Sequence, residues 1–213
     1  MDPFNFKKSP EKNRKFSPNA KKTVAVVFVL FLMLFMKYKP YEHTSFMVTS
    51  FSEQIFALYF FISNQTLGMI HEAGHGVCYV LPCPEFFMVL NGTLFQVLLP
   101  LGIGIYYKKR AQIFPWLIAL FFTGFSLQYT AWYISSAHLG AYVSAAQSFL
   151  GVDGYHDFNY ILSHLHLLKF NTQISFLVKA FAYGLMIYAV VKMLIFAFIV
   201  DETKKRRILN RHK

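Results

Sequence analysis

Apolar residues fall along this chain in long unbroken runs separated by short polar segments, and that alternation predicts the elements. Thr23 to Met36 is one run, Phe51 to Leu81 a second, Gln112 to Ile134 a third and Gln173 to Val200 the last. Runs of this kind read as helices crossing about 30 Å of hydrocarbon, for which roughly 20 apolar residues suffice. Thr23 to Met36 is short for that thickness, so its flanking residues must snorkel. It also has the length of a signal-peptide core, but Lys37-Tyr38-Lys39-Pro40 follows in place of a small-residue cleavage site, so it reads as an uncleaved span. Leu81-Pro82-Cys83-Pro84-Glu85 stops the second helix, because proline has no amide hydrogen and restricts the residue before it. Phe86 to Leu90 then reads as a short extended piece. Asn91 to Tyr107 reads as a glycine-punctuated span ending on Lys108-Lys109-Arg110.

The polar segments set the limits. Residues 1–22, with Pro3, Pro10 and Pro18, read as a disordered basic cytoplasmic tail, and residues 201–213 as a second one. Residues 23–200 between them form the membrane domain, and Glu42 and His43 in its first loop read as solvated. Ser135 to Leu150 is small and amphipathic. Gly151 to Leu168 is a second polar constellation, and Lys179 and Lys192 beyond it read as snorkelling or interior groups. The predicted fold class is therefore all-α, a polytopic transmembrane helical bundle of about five or six spans. Trp116 and Trp132, near the ends of their span, suit an interfacial aromatic belt.

Composition sharpens this. With 55% hydrophobic and 19% aromatic residues in 213, 25 of them Phe, the chain is too apolar for an ordinary water-soluble domain. The net charge of +11 collects at the ends, from Lys7 to Lys22 and from Lys204 to Lys213. Basic flanks mark the cytoplasmic side, so both termini are expected there, in a bacterial cytoplasmic membrane. No nucleic-acid recognition module accompanies the charge, and attraction to anionic headgroups of the lipid bilayer is the simpler role for it. Alternate counting of spans leaves Lys108-Lys109-Arg110 outside, against the charge rule. Residues 82–107 satisfy the rule if they are partly re-entrant.

Candidate chemistry centres on Met69-Ile70-His71-Glu72-Ala73-Gly74-His75, an H-E-x-x-H stretch in an apolar helix. Residues four apart share a helix face, so His71 and His75 can both address one metal ion while Glu72 projects to the side as a general base for water. Two imidazoles and one carboxylate are the donor set of a hydrolytic zinc site. Asn64, Gly68, His71, His75 and Cys78 continue as one narrow stripe, and ionisable groups at membrane depth mark function by default. If the first span runs outwards, this site sits nearer the cytoplasmic face. The two cysteines, Cys78 and Cys83, suggest neither a disulfide framework nor a zinc knuckle, and Cys78 reads as a small buried residue.

Zinc needs a third protein ligand, and carboxylates are scarce here. Asp153 and Asp157 are the candidates, with His156 as a competitor. Gly154 is expected to open the helix that follows, and Asp153 also suits the cap of that helix.

The order of these residues resembles the site-2 protease family of intramembrane zinc metalloproteases. That family carries H-E-x-x-H, then Gly-x-x-x-Asn, then Leu-Asp-Gly, all in hydrophobic helices. This chain has His71-Glu72-Ala73-Gly74-His75, then Gly92-Thr93-Leu94-Phe95-Gln96, then Val152-Asp153-Gly154, over roughly residues 55 to 165. The interval between the first two motifs is short and His156-Asp157 is an addition, so the resemblance is to a divergent, compact member. It implies His71, His75 and Asp153 as zinc ligands and Glu72 as catalytic base. Gly92 and Gln96 match the central motif, with Gln for Asn, and imply substrate or oxyanion contact.

The implied activity is hydrolysis of peptide bonds in or near transmembrane segments of membrane-protein substrates. Such a segment hides its amides in its own hydrogen bonds and must unwind first. Phe86 to Leu90 can receive the extended strand by β-addition, or form a structural hairpin. Two other classes use similar residues. A membrane di-iron oxidase or hydroxylase draws on many histidines, and His71, His75, His138, His156, His164 and His166 supply six, yet no His-x-x-His-His cluster occurs. A catalytically inactive metal-binding or carrier protein needs no general base. Oligomeric state is not legible.

Overall fold

The computed structural model describes residues 16–38, 51–138 and 156–200. Six α-helices occur there: α1 (Pro18–Tyr38), α2 (Phe51–Val80), α3 (Glu85–Lys109), α4 (Ile113–Ser135), α5 (Asp157–His164) and α6 (Asn171–Leu194). A 3₁₀ turn, Leu168–Phe170, precedes α6, and a π-helical turn, Ile195–Val200, follows it. No strand occurs among the described residues, and the all-α expectation holds.

Helix starts and stops differ from expectation for local reasons. α1 begins at Pro18, so residues 18–22 belong to the helix and not to the tail. Proline suits the first helical position, and Ser17 Oγ accepts from the Ala20 amide at 3.2 Å. The helix is thereby lengthened to 21 residues. α3 is a single helix of 25 residues, which corrects both the extended piece at Phe86–Leu90 and the re-entrant reading of 82–107. Pro84 sits outside its first turn with φ −55° and ψ 145°, already pre-set to enter a helix. A five-residue apolar run carries no period that separates strand from helix, so Phe86–Leu90 misleads. No strand edge is left among the described residues to take part in β-addition. Pro100 lies inside α3, as membrane helices tolerate.

Among the described residues, four segments are long and apolar enough to cross a membrane: Pro18–Tyr38, Glu85–Lys109, Ile113–Ser135 and Leu168–Ile199. The protein is an integral membrane protein. α2 has ample length at 30 residues, but its Gln54, Asn64, Gln65, His71, Glu72 and His75 lower its hydropathy. Apolar side chains elsewhere face outwards, as lipid contact requires: Leu30 is 55% exposed, Met33 62%, Phe176 67% and Phe181 64%.

Small residues set the packing. Without a hydrophobic drive between helices in lipid, close backbone approach does the joining. A Cβ on Gly124 would meet Met186 Cγ at 2.7 Å and the Ala182 carbonyl at 3.0 Å, and one on Gly104 would meet the Trp116 ring at 2.7 Å. These contacts make α4 antiparallel to both α6 and α3. Ser175 Oγ donates to the Ala131 carbonyl and Ser126 Oγ to the Gln96 carbonyl, in the same sense. α1 runs parallel to α4, with Phe16 on Phe114, Phe28 on Phe121 and Phe35 on Phe125. The main core lies here, among Ala25, Leu32, Phe35, Leu117, Phe121, Met186 and Met193. A second cluster, Tyr133, Ile134, Ala137, Phe158, Ile161 and Leu162, seats α5 against the end of α4.

The two ends of the bundle differ. At one end Lys21 lies over Phe196, Lys22 over Phe198 and Lys108 over Trp116, with Lys109 and Arg110 alongside. At the other are the α2–α3 turn, α5 and the start of α6.

Candidate metal centre

α2 carries its polar residues on one stripe, and burial follows that stripe: Gly68, His71, Gly74 and Cys78 are buried while Met69, Val77 and Tyr79 face outwards. The stripe is pressed on α3 by Gly74. A Cβ there would meet the Asn91 carbonyl oxygen at 2.5 Å and Phe95 Cβ at 2.7 Å. Asn91 Nδ2 donates back to the Gly74 carbonyl at 2.5 Å. This contact fixes the height at which the two imidazoles meet α3.

Each imidazole is oriented through its Nδ1. His75 Nδ1 donates to the Met88 carbonyl at 2.8 Å, and His71 Nδ1 lies 3.3 Å from Gln96 Oε1. An Nδ1 that donates leaves Nε2 with its lone pair free. Both Nε2 atoms point at one carboxylate oxygen: Asp157 Oδ2 is 2.8 Å from His71 Nε2 and 3.2 Å from His75 Nε2. The three ligand atoms lie within 4.8 Å of one another. The rings stand nearly perpendicular, 80° apart with centroids at 4.8 Å.

Gly92 lines the same space. A Cβ on it would lie 2.5 Å from His75 Nε2 and 2.7 Å from His71 Nε2, so only hydrogen fits beside the two nitrogens. Ligand atoms about 2.0–2.1 Å from a tetrahedral zinc stand about 3.3 Å apart, so the two spacings to Asp157 need open by only a few tenths of an ångström. Donor chemistry, tautomers and the glycine wall all fit a zinc ion held by His71, His75 and Asp157. Zinc is otherwise an expectation from sequence.

No protein-family model, curated protein or solved structure matches the chain. The site is therefore read from its own geometry.

Asp157 reaches the histidines because of how α5 begins. His156 is its N-cap, with Nδ1 accepting from the Asn159 amide at 3.4 Å and Nε2 3.0 Å from Ser136 Oγ. Its ring stacks on Tyr133 at 4.2 Å. Burial pushes its pKa down to about 4, which keeps the ring neutral, as this bonding needs. The Asp157 amide donates to Tyr133 Oη at 3.2 Å and Asn159 Nδ2 to the Ala137 carbonyl at 2.7 Å. α5 thus starts at Asp157, three residues later than Gly154.

Of the predicted residues, His71, His75, Gly92, Gln96 and Asp157 converge. His156 is drawn off to Ser136 and is not placed as a ligand. Asp153 lies outside the described residues, and the carboxylate at the histidines among the described residues is Asp157. Glu72 is half-buried next to His71, near enough to His75 for its charge to act there. Gln96 is 1% exposed; its Oε1 faces His71, and its Nε2 is buried with no partner among the described residues. An apolar groove of about 620 Å³ between α2, α3 and α4 reaches Gln96 and is lined by Ile62, Thr66, Ile70, Leu99, Ile103 and Phe122.

Sequence reasoning missed Tyr133, Ser136 and the Met88 carbonyl, which no local pattern marks. It also read the cysteines wrongly: Cys78 and Cys83 form a disulfide across the α2–α3 turn. Pro82 and Pro84 turn the chain back at once, which brings Cys83 beside the end of α2.

Proposed function

We propose that this protein is an intramembrane zinc metallopeptidase related in its site logic to the site-2 proteases, with His71, His75 and Asp157 as metal ligands and Glu72 as general base. The observation that carries this reading is the convergence of two Nε2 lone pairs on one carboxylate oxygen, with both Nδ1 positions already committed. Two imidazole nitrogens and one carboxylate oxygen gathered at a point that Gly92 leaves uncrowded are the donor set and the space that a three-ligand zinc site needs.

When bound, zinc supplies a Lewis acid for the scissile carbonyl and makes a water more acidic. Glu72 takes up the proton of the attacking water and returns it to the leaving amine. Gln96 Oε1 holds His71 in the required tautomer, while its Nε2 offers a hydrogen bond to a substrate carbonyl or to the developing oxyanion. Gly92 lets the substrate backbone approach. The apolar groove favours a membrane-protein segment over a soluble peptide, because its lining offers little to a polar chain.

The test is metal content and cleavage measured together. The wild-type protein should purify with one zinc per chain and cleave a reporter transmembrane segment in liposomes. Glu72→Gln should keep the zinc and lose cleavage by at least about 100-fold, the scale of a general base. Two irons per chain, or full activity in Glu72→Gln, would overturn the peptidase reading in favour of an oxidase or a carrier.

A further inference from the structure

We propose that the metal centre belongs to the outer, non-cytoplasmic side of the membrane, so that the peptide bond it hydrolyses lies in the outer third of a substrate's span. The second half rests on the peptidase reading; the first does not. Three observations place the site. On α3, Gly92 lies about 10 Å from the start at Glu85 and about 25 Å from the end at Lys109, at 1.5 Å per residue. The centre is therefore well away from the basic end. That end gathers Lys21 and Lys22 from α1, Lys108, Lys109 and Arg110 from α3, and Lys192 near the end of α6. In sequence it is preceded by Lys7, Lys8, Lys12, Arg14 and Lys15 and followed by Lys204, Lys205, Arg206 and Arg207. The opposite half has Lys37, Lys169 and, about 12 Å into α6, Lys179 among the described residues. Basic residues near span ends orient a membrane protein with that end in the cytoplasm.

The third observation is independent of charge. The Cys78–Cys83 disulfide closes the α2–α3 turn at the site's own end, and disulfides persist on the oxidising side of a membrane. Charge and redox chemistry thus give one orientation. This reverses the placement expected from counting spans outward from the first, and it puts Lys108-Lys109-Arg110 at the same end as the start of α1. The disulfide also ties the turn between His75, three residues before Cys78, and Met88, whose carbonyl orients that histidine.

Single cysteines at two exposed positions test the orientation in the wild-type background, where Cys78 and Cys83 are oxidised. Lys169→Cys should react with a membrane-impermeant maleimide in intact cells, and Arg110→Cys only after permeabilisation. The reverse pattern would overturn the proposal. A second measurement needs no substitution: acid-quenched cells alkylated under denaturing conditions should show no free thiol on the wild-type chain until a reductant is added. Free Cys78 and Cys83 in quenched cells would equally sink it. For the substrate, two reporter spans carry a helix-breaking pair near the outer or the inner end. Cleavage of the outer reporter is expected, and cleavage of the inner one alone overturns the outer-third assignment. If neither is cut while the labelling holds, the peptidase reading fails and the orientation stands.

Discussion

Asp157 Oδ2 lies 2.8 Å from Nε2 of His71, across 86 residues of sequence. That single contact links the helix carrying H-E-x-x-H to the short helix α5, and nothing in lipid would hold an aspartate at this place without a partner. The pair is satisfied without metal by a shared proton and with metal by coordination. A metal bound by all three side chains would also use His75 Nε2, which lies 3.2 Å from the same oxygen.

Asp157→Asn should therefore remove the metal. Loss of a ligand exceeds the 10–100-fold cost of losing an outer-shell partner, so zinc affinity is expected to fall by more than about 100-fold. Chelator competition on the purified protein measures it. Asp153→Asn, by contrast, should leave zinc affinity within about threefold of wild type, since Asp157 is the third ligand in the proposed set. Metal loss in Asp153→Asn alone would return the ligand to the Val152-Asp153-Gly154 motif.

Gln96 has two ends with separable duties. Gln96→Leu removes the acceptor for His71 Nδ1 and should weaken zinc binding about 10–100-fold. Gln96→Glu keeps an acceptor there and should hold zinc at close to wild-type affinity, but it removes the Nε2 donor. Cleavage should then fall by about 100-fold through kcat, the usual cost of losing one oxyanion donor. Kinetics on metal-replete Gln96→Glu decide this, and unchanged kcat would leave Gln96 with His71 alone.

Gly92→Ala separates helix stability from metal binding. Alanine favours a helix interior by about 1 kcal/mol over glycine, so the α3 backbone itself loses nothing by the change. Here the added methyl carbon would stand 2.5 Å from His75 Nε2 and 2.7 Å from His71 Nε2, in the space the proposed ion would need. Zinc should be lost while the secondary structure by circular dichroism is kept.

Much of this was legible in the chain. The long apolar runs gave the helices, and the spacing of Gly68, His71 and Cys78 gave the buried stripe of α2, because a helix period is local. Gly92 and Gln96 were also found, through the resemblance of Gly92-Thr93-Leu94-Phe95-Gln96 to the central motif of the site-2 protease family. What could not be read depends on contacts distant in sequence. Asp157 meets the histidines because Tyr133 and Ser136, on α4, decide where α5 starts. The Cys78–Cys83 pairing needs the turn at Pro82 to be built first. The end of the bundle at which the site sits follows from parallel packing of α1 on α4, a relation that aromatic contacts such as Phe28 on Phe121 create and no span count contains.

The groove gives the last prediction. It runs from Gln96, beside the centre, to Tyr107 and Gln112 at the basic end, and its walls are apolar side chains of α2, α3 and α4. A substrate span cut near its outer end would lay the apolar residues on the cytoplasmic side of the cut along such a surface. Ile103 is 49% exposed on that wall, so Ile103→Trp adds bulk without opening a cavity in the core. Zinc content should be unchanged, because Ile103 is about two turns of α3 beyond Gln96. Cleavage of the transmembrane reporter should fall by about tenfold or more through KM, the loss expected when about 1.4 kcal/mol of apolar contact is displaced. A short peptide that occupies only the metal centre should be cut at the wild-type rate. Equal loss on both substrates would mean that the groove supports the fold of the site and does not receive the substrate.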